Sequence, residues 1–116
     1  MEKEKILITT AIDYCNDVIH IGHAYEKLLA DALARHYRSF KRKESVYFLT
    51  GTDEHGTTNE KAAQKRGVTT EEHVTEISKK DQDQIDSLNV SYDRFIRTTD
   101  PDHVKIASDF YQKAVD

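Results

Sequence analysis

Two short polar stretches carry the side chains in this sequence best suited to chemistry. The first is His20-Ile21-Gly22-His23, and the second is Thr50-Gly51-Thr52-Asp53-Glu54-His55-Gly56. An imidazole donates a hydrogen bond to a phosphoryl oxygen and, when protonated, offsets part of its charge. Two of them at the start of a helix form a candidate phosphate brace, because free backbone N–H groups and the helix dipole already favour an anion there. Gly22 between them has no side chain, so a flat ring can approach the backbone. Two other uses of the pair stay open on the residues alone. One histidine caps the helix while the other packs, or His20 and His23 join Asp53 or His55 around a metal ion. The spacing of that second set fits no zinc pattern.

In the second stretch, Asp53 and Glu54 are suited to pairing with an ammonium group or a ribose hydroxyl. The bland alternative is an Asx-turn that only organises the loop. Tyr14 is placed to give a small pocket an aromatic wall, or to fill core.

These residues need elements to hold them. Residues 5–12 (KILITTAI) form an apolar run rich in β-branched side chains and predict a buried strand. Asp13, Asn16 and Asp17 mark residues 13–19 as a loop. A helix is predicted from about 21 to 40, with Tyr25, Leu28, Leu29, Ala32, Leu33 and His36 on its buried stripe. Its basic end (Arg35, Arg38, Lys41, Arg42, Lys43) reads as a solvated last turn complementing the dipole, with a phosphate or RNA contact as the alternative.

Residues 46–49 (VYFL) predict a second buried strand, followed by the polar loop at 50–56. Continuous apolar strands between amphipathic helices argue for a parallel sheet covered on both faces. In such sheets ligands bind beyond the carboxyl ends of the strands, which puts both polar stretches at one edge. Residues 57–66 predict a short helix stopped by Gly67. Thr69 and Glu72 have the spacing of a capping box, opening a surface helix that reaches about Leu88 with Val74, Ile77, Ile85 and Leu88 apolar. Phe95 and Ile96 suit a third short strand. Asp100-Pro101 starts a last helix with Val104, Ala107, Phe110, Tyr111 and Ala114 on its inner face. That pattern runs to the last residue, as it would in an incomplete domain.

The bulk numbers fit one α/β domain. The chain has 116 residues, 37% hydrophobic and 33% charged, with a net charge of −4, so no global charge excess draws it to nucleic acid. No apolar run is long enough to span a membrane, and the N-terminus has no secretory h-region. The single cysteine, Cys15, precludes an internal disulfide or a cysteine-built zinc knuckle and suits a reducing cytoplasm.

HIGH at 20–23, preceded by ITTAIDYCND and followed by AYEKLLADALARHYR, resembles the N-terminal part of a class I aminoacyl-tRNA synthetase. FLTGTDEHG at 48–56 and SYDRFIRTTDPDH at 91–103 narrow the resemblance to the methionyl-tRNA synthetase family. The resemblance implies a Rossmann-like parallel sheet with flanking helices, present as the first half of a nucleotide-binding catalytic domain spanning 1–116. It implies ATP, with Mg2+, and methionine as substrates, tRNA as a partner of the whole enzyme, and a cytoplasmic place.

By the same resemblance, His20 and His23 stabilise ATP phosphates during adenylate formation, and adenine packs over Gly22. Tyr14 lines the methionine side-chain pocket, the backbone at Ile12 contacts the amino acid, and Asp53 receives its ammonium group. The KMSKS loop, the zinc-bearing insertion and the anticodon-binding domain of that family would lie beyond residue 116, leaving no zinc site here. A chain without them is expected to be inactive alone, and its half-built sheet to self-associate. A short non-ligase protein that keeps ATP or methionine binding is the alternative. A small nucleotidylyltransferase of the wider HIGH-motif superfamily fits less well, since GTDEHG supplies an amino-acid ammonium site it does not need.

Overall fold

A computed structural model describes residues 4–42 and 45–115. In chain order the elements are β1 (Ile6–Thr9), β2 (Asp13–Tyr14), α1 (Ile21–Phe40), β3 (Val46–Asp53), α2 (Thr57–Arg66), α3 (Thr70–Ser87), β4 (Arg94–Arg97) and α4 (Pro101–Val115). Every strand pairing runs through β3, and every one is parallel. Along one edge, β1 pairs with Val46 to Leu49 and β2 with Thr52 and Asp53. Along the other edge β4 pairs with Leu49 to Thr52. The parallel α/β architecture read from the sequence is the one observed.

Two local readings need correction at the strands. Residues 13–19 do not form a pure loop, because Asp13 and Tyr14 rejoin the sheet as β2. Thr50 to Asp53 is strand as well, although its composition is polar. The reason is that its buried hydroxyls find partners there. Thr50 Oγ1 shares a hydrogen bond of 2.7 Å with Thr10 Oγ1, and Thr52 Oγ1 shares one of 2.8 Å with Ser78 Oγ. A buried polar group with a partner is tolerated where a lone one is not.

The core lies on one face of the sheet. Ile8, Val46 and Phe48 point to Ala30 and Ala34 of α1, Ile85 of α3, and the flanking Ile19 and Val90. Their neighbours Leu7 and Tyr47, which face the other way by strand alternation, are exposed. The expectation of cover on both faces is therefore not met among the described residues. The predicted stripe of α1 is also displaced. Tyr25, Leu28, Leu29, Ala32, Leu33 and His36 are exposed, whereas Lys27, Ala30, Asp31 and Ala34 are buried. On α4 no residue is buried, including Val104, Ala107, Phe110, Tyr111 and Ala114. Helix α3 is less of a surface helix than expected. It buries His73, Ser78 and Asp81 alongside Val74, Ile77 and Ile85, and leaves Leu88 exposed.

The helix boundaries follow the sequence closely. Helix α1 spans the predicted residues, α2 is followed by Gly67 at φ 70°, and Thr69 with Glu72 forms the capping box of α3. The basic end of α1 is engaged rather than merely solvated. Arg35 donates to Asp31 and to the Asn89 carbonyl, Arg38 to Ser91 and Asp93, and Lys41 pairs with Glu4. Lys43 lies outside the described residues. Asp93 in turn accepts the Phe48 N–H at 2.7 Å, so the segment before β4 is stitched to α1 and β3 together.

Gly51 is the closest approach in the sheet. A Cβ built on it would sit 1.9 Å from the Ile96 carbonyl oxygen, a backbone atom that cannot swing aside. Gly67 has open space around it but a left-handed backbone. Gly51→Ala is therefore expected to cost at least about 3 kcal/mol, the upper end for overpacking. Gly67→Ala should cost about 1–2 kcal/mol, from its φ alone. Urea denaturation of both variants checks the order, and equal losses would contradict it.

Candidate functional site

The two histidines are fixed by the helix they start. His20 is the N-cap of α1, and its Nδ1 accepts the Gly22 N–H at 3.0 Å. His23 reaches back, its Nδ1 accepting the His20 N–H at 3.2 Å. The two rings stack with centroids 3.9 Å apart. Since both Nδ1 atoms accept, each neutral ring carries its proton on Nε2. Both Nε2–H groups are then free to donate elsewhere, and His23 Nε2 lies 3.8 Å from Asp13 Oδ1. Capping and phosphate bracing are thus compatible uses of one residue. Gly22 has a structural reason of its own, because a Cβ there would meet His20 Cε1 at 2.8 Å.

The second polar stretch comes to the same edge. Tyr14 is the register partner of Asp53, and the Cys15 N–H donates to the Asp53 carbonyl. The Asp53 carboxylate uses Oδ1 for the His55 N–H at 3.2 Å and the Thr98 hydroxyl at 3.4 Å. So the Asx-type turn is present, and Oδ2 has no partner among the described residues. Tyr14 is 54% exposed and Ile12 38%, so neither is core, and both are open to a ligand. Glu54 is spent internally. It is buried, pairs with Arg97 through Nε and Nη2, and accepts from Thr99. The same pair holds the Arg97 guanidinium above its ordinary pKa.

Several supporting residues gave no sequence signal. Lys27, fully buried in a helix that looked amphipathic around other positions, donates to the Ala11 carbonyl and pairs with Asp13 Oδ2, both at 2.8 Å. Glu26 lies 3.7 Å from the same ammonium and accepts the Ala11 N–H. These three charges grip the turn that presents Ile12. Asp81 of α3 accepts the Ile19 N–H at 3.1 Å and so fixes the residue before His20. Asn59 of α2 donates to the Asp53 carbonyl. Cys15 is buried, and burial pushes its thiol up to about 12, which leaves it inert. Among the described residues no three His, Cys, Asp or Glu side chains converge as a metal set.

Two predictions follow from these buried charges. Lys27→Met strands the Asp13 carboxylate, and removing one partner of a buried pair costs about 3–5 kcal/mol. Adding Asp13→Asn should return at least half of that loss in a double-mutant cycle. A single-variant cost under about 1 kcal/mol, read by chemical denaturation, would contradict the grip.

Asp81 gives a pH dependence. Burial, then the nearby Asp13 and Asp17, raise its carboxyl from 3.8 to about 6. Between those values the folded chain holds a proton the unfolded chain has released, so stability falls as pH rises through that window and is flat above it. The drop is at most about 3 kcal/mol. Asp81→Asn keeps an acceptor for Ile19 and should flatten the melting temperature between pH 4 and 6, in a scan against the unmodified chain.

With this geometry in view, known proteins give the arrangement its family. The family model described as tRNA synthetases class I (M) matches residues 6–116. Methionine–tRNA ligase of Deinococcus radiodurans is 49% identical over 113 residues, which cover 97% of this chain and 16% of that protein. The same enzyme of Clostridium perfringens is 46% identical over 118 residues, covering 100% of this chain and 18% of the relative. The solved structure of Mycobacterium tuberculosis methionyl-tRNA synthetase in complex with methionyl-adenylate superposes with a TM-score of 0.82 at 46% identity, covering 87% of this chain and 19% of that one. The chain thus spans a fifth or less of the length of these relatives. It belongs to the family of class I (M) tRNA synthetases.

Proposed function

We propose that this chain forms the ATP- and methionine-binding part of a methionine–tRNA ligase, one Rossmann-type nucleotide-binding unit of its catalytic domain. One observation carries the reading. The histidine Nε2 edges at the start of α1 and the Asp53 carboxylate at the end of β3 stand at the same edge of one parallel sheet. The mycobacterial relative with a matching fold is described in complex with methionyl-adenylate.

In this reading the methionine ammonium pairs with Asp53 Oδ2, while Oδ1 keeps the turn. Ile12 offers its backbone and Tyr14 its ring to the amino acid. Adenine lies over Gly22, where a larger residue would displace the His20 ring. A methionine carboxylate oxygen attacks the α-phosphorus of ATP, the bond from that phosphorus to the bridging oxygen breaks, and pyrophosphate leaves. His20 and His23 donate from Nε2 to phosphate oxygens whose charge grows in that step. ATP enters with Mg2+, which offsets phosphate charge. The methionyl group then passes to tRNA. The reading places the protein in the cytoplasm; no helix among the described residues is long and apolar enough to cross a membrane.

Asp53→Asn separates the two uses of this carboxylate, because the amide oxygen still accepts the His55 N–H while the charge is gone. Loss of a charge-assisted hydrogen bond of about 1.5–3 kcal/mol should weaken methionine binding roughly tenfold to a hundredfold. ATP affinity and melting temperature should stay unchanged. His23→Ala should instead slow methionine-dependent ATP–pyrophosphate exchange with little change in methionine affinity. Calorimetric titration and exchange rates on the full protein test both. Unchanged methionine affinity in Asp53→Asn would overturn the amino-acid site.

A further inference from the structure

The two carboxylates at the end of β3 are adjacent in the chain and meet opposite fates. Glu54 is buried, and its charge is answered from within by the Arg97 guanidinium, with the Thr99 hydroxyl as a further donor. Asp53 has only neutral partners among the described residues, the His55 N–H and the Thr98 hydroxyl, both on Oδ1. Its charge is therefore left for a cation from outside.

A carboxylate turns easily about its last bond, so a single donor does not fix its plane. The His55 N–H belongs to the same loop as Asp53 and moves with it. The second donor is independent of that loop, since Thr98 follows β4 and lies 45 positions away in the chain.

Thr98 is well held for this task. Its N–H donates to the Thr52 carbonyl at 3.2 Å, and its own carbonyl lies 3.0 Å from His103 Nδ1 of α4. A carbonyl only accepts, so that ring nitrogen carries the proton. The Thr98 side chain is buried, and its Oγ1 accepts the Glu54 N–H at 2.8 Å. Backbone and side chain are thus both anchored, and the one hydroxyl proton is left for Asp53 Oδ1 at 3.4 Å. That is long for an O–H···O bond, so the contact steers the carboxylate without neutralising its charge.

We propose that Thr98 is a positioning residue of the amino-acid site. Its hydroxyl, anchored between β3 and α4, aims Asp53 Oδ2 at the substrate ammonium. It thereby sets the preference for methionine over the same acid without its amino group. The proposal rests on the reading of Asp53 as the ammonium receiver, and adds to it a residue outside the two polar stretches.

The test measures methionine and ATP affinities of the full protein by calorimetric titration. Thr98→Val keeps the shape and removes the hydroxyl, whereas Thr98→Ser keeps the hydroxyl. Thr98→Ala, which leaves room for a water at the Glu54 N–H, reads the same loss if the valine variant does not fold. Thr99→Val removes the neighbouring hydroxyl, whose bond goes to Glu54 instead.

Thr98→Val should weaken methionine binding at least about fivefold, within the coupling range of residues in one hydrogen-bond network. ATP affinity should not change, and Thr98→Ser should restore methionine affinity. Thr99→Val should lower the melting temperature and leave methionine affinity as it was. In the Asp53→Asn background the Thr98→Val penalty should shrink to less than about twofold, because the charge it aims is gone. The deaminated analogue γ-methylthiobutyrate should bind Thr98→Val and the unmodified protein equally.

Equal losses for methionine and ATP, no rescue by Thr98→Ser, or an undiminished penalty in the Asp53→Asn background would each overturn the proposal. If Asp53→Asn weakens methionine binding and Thr98→Val and Thr98→Ala do not, the role of Thr98 alone fails. Unchanged methionine affinity in Asp53→Asn removes the reading beneath it as well.

Discussion

The structure depends on one strand being able to pair on both edges. Among the described residues β3 is the only partner that β1, β2 and β4 have in the sheet, so its backbone groups are committed along nearly its whole length. That demand explains its composition. Val46 and Phe48 fill the core at one end, while Thr50 and Thr52 place hydroxyls where Thr10 and Ser78 can meet them at the other. Gly51 is bare because β4 passes too near for any side chain. Asp53 emerges at the end of this strand, paired with Tyr14 of β2 on one side and held through its carboxylate by Thr98, just after β4.

At the site, structural and chemical uses of a residue divide between its atoms. Each motif histidine gives Nδ1 to a backbone N–H and keeps Nε2. Asp53 gives Oδ1 to His55 and Thr98 and keeps Oδ2. The capping reading and the ligand reading therefore do not compete. An atom tied to the backbone orients the rest of its ring or carboxylate, so the free atom is aimed before any ligand arrives. That is preorganisation, and it spares the ordering cost that a mobile side chain would incur on binding.

How much of this was legible in the sequence follows from how local each signal is. Helix starts and stops depend on a few neighbouring residues, and His20, Gly67, Thr69 and Pro101 mark them where they are observed. Parallel topology follows from strands separated by helices. The buried faces were harder, because periodicity says that a stripe is apolar and not what covers it. On α1 the stripe through Leu28 and Leu33 is exposed, while the adjacent row containing Lys27 and Asp31 faces inward. Strand β2 was missed since its two residues are polar and its partner is remote in sequence. The motif residues themselves were legible through resemblance, yet their supports at Lys27, Asn59 and Asp81 were not. Their partners lie between 6 and 62 positions away, and no local pattern encodes them.

Those supports share a physical character. Lys27 holds the Ala11 carbonyl, Glu26 the Ala11 N–H, Asp81 the Ile19 N–H, and Thr98 both the Glu54 N–H and the Asp53 carboxylate. Each tie ends on a backbone atom or a carboxylate in one of the two polar stretches or in the turn beside them. Burying such charges is costly, and a core of apolar residues would be at least as stable. What apolar contact lacks is direction. A methyl group against a methyl group fixes distance only loosely, whereas a hydrogen bond to a carbonyl weakens steeply as its angle departs from linearity. A site that must hold two imidazoles and a carboxylate in one orientation gains more from such ties than from packing. The charged interior at the strand ends is therefore best understood as positioning, with the apolar cluster of Ile8, Phe48 and Ile85 supplying the cohesion beneath it.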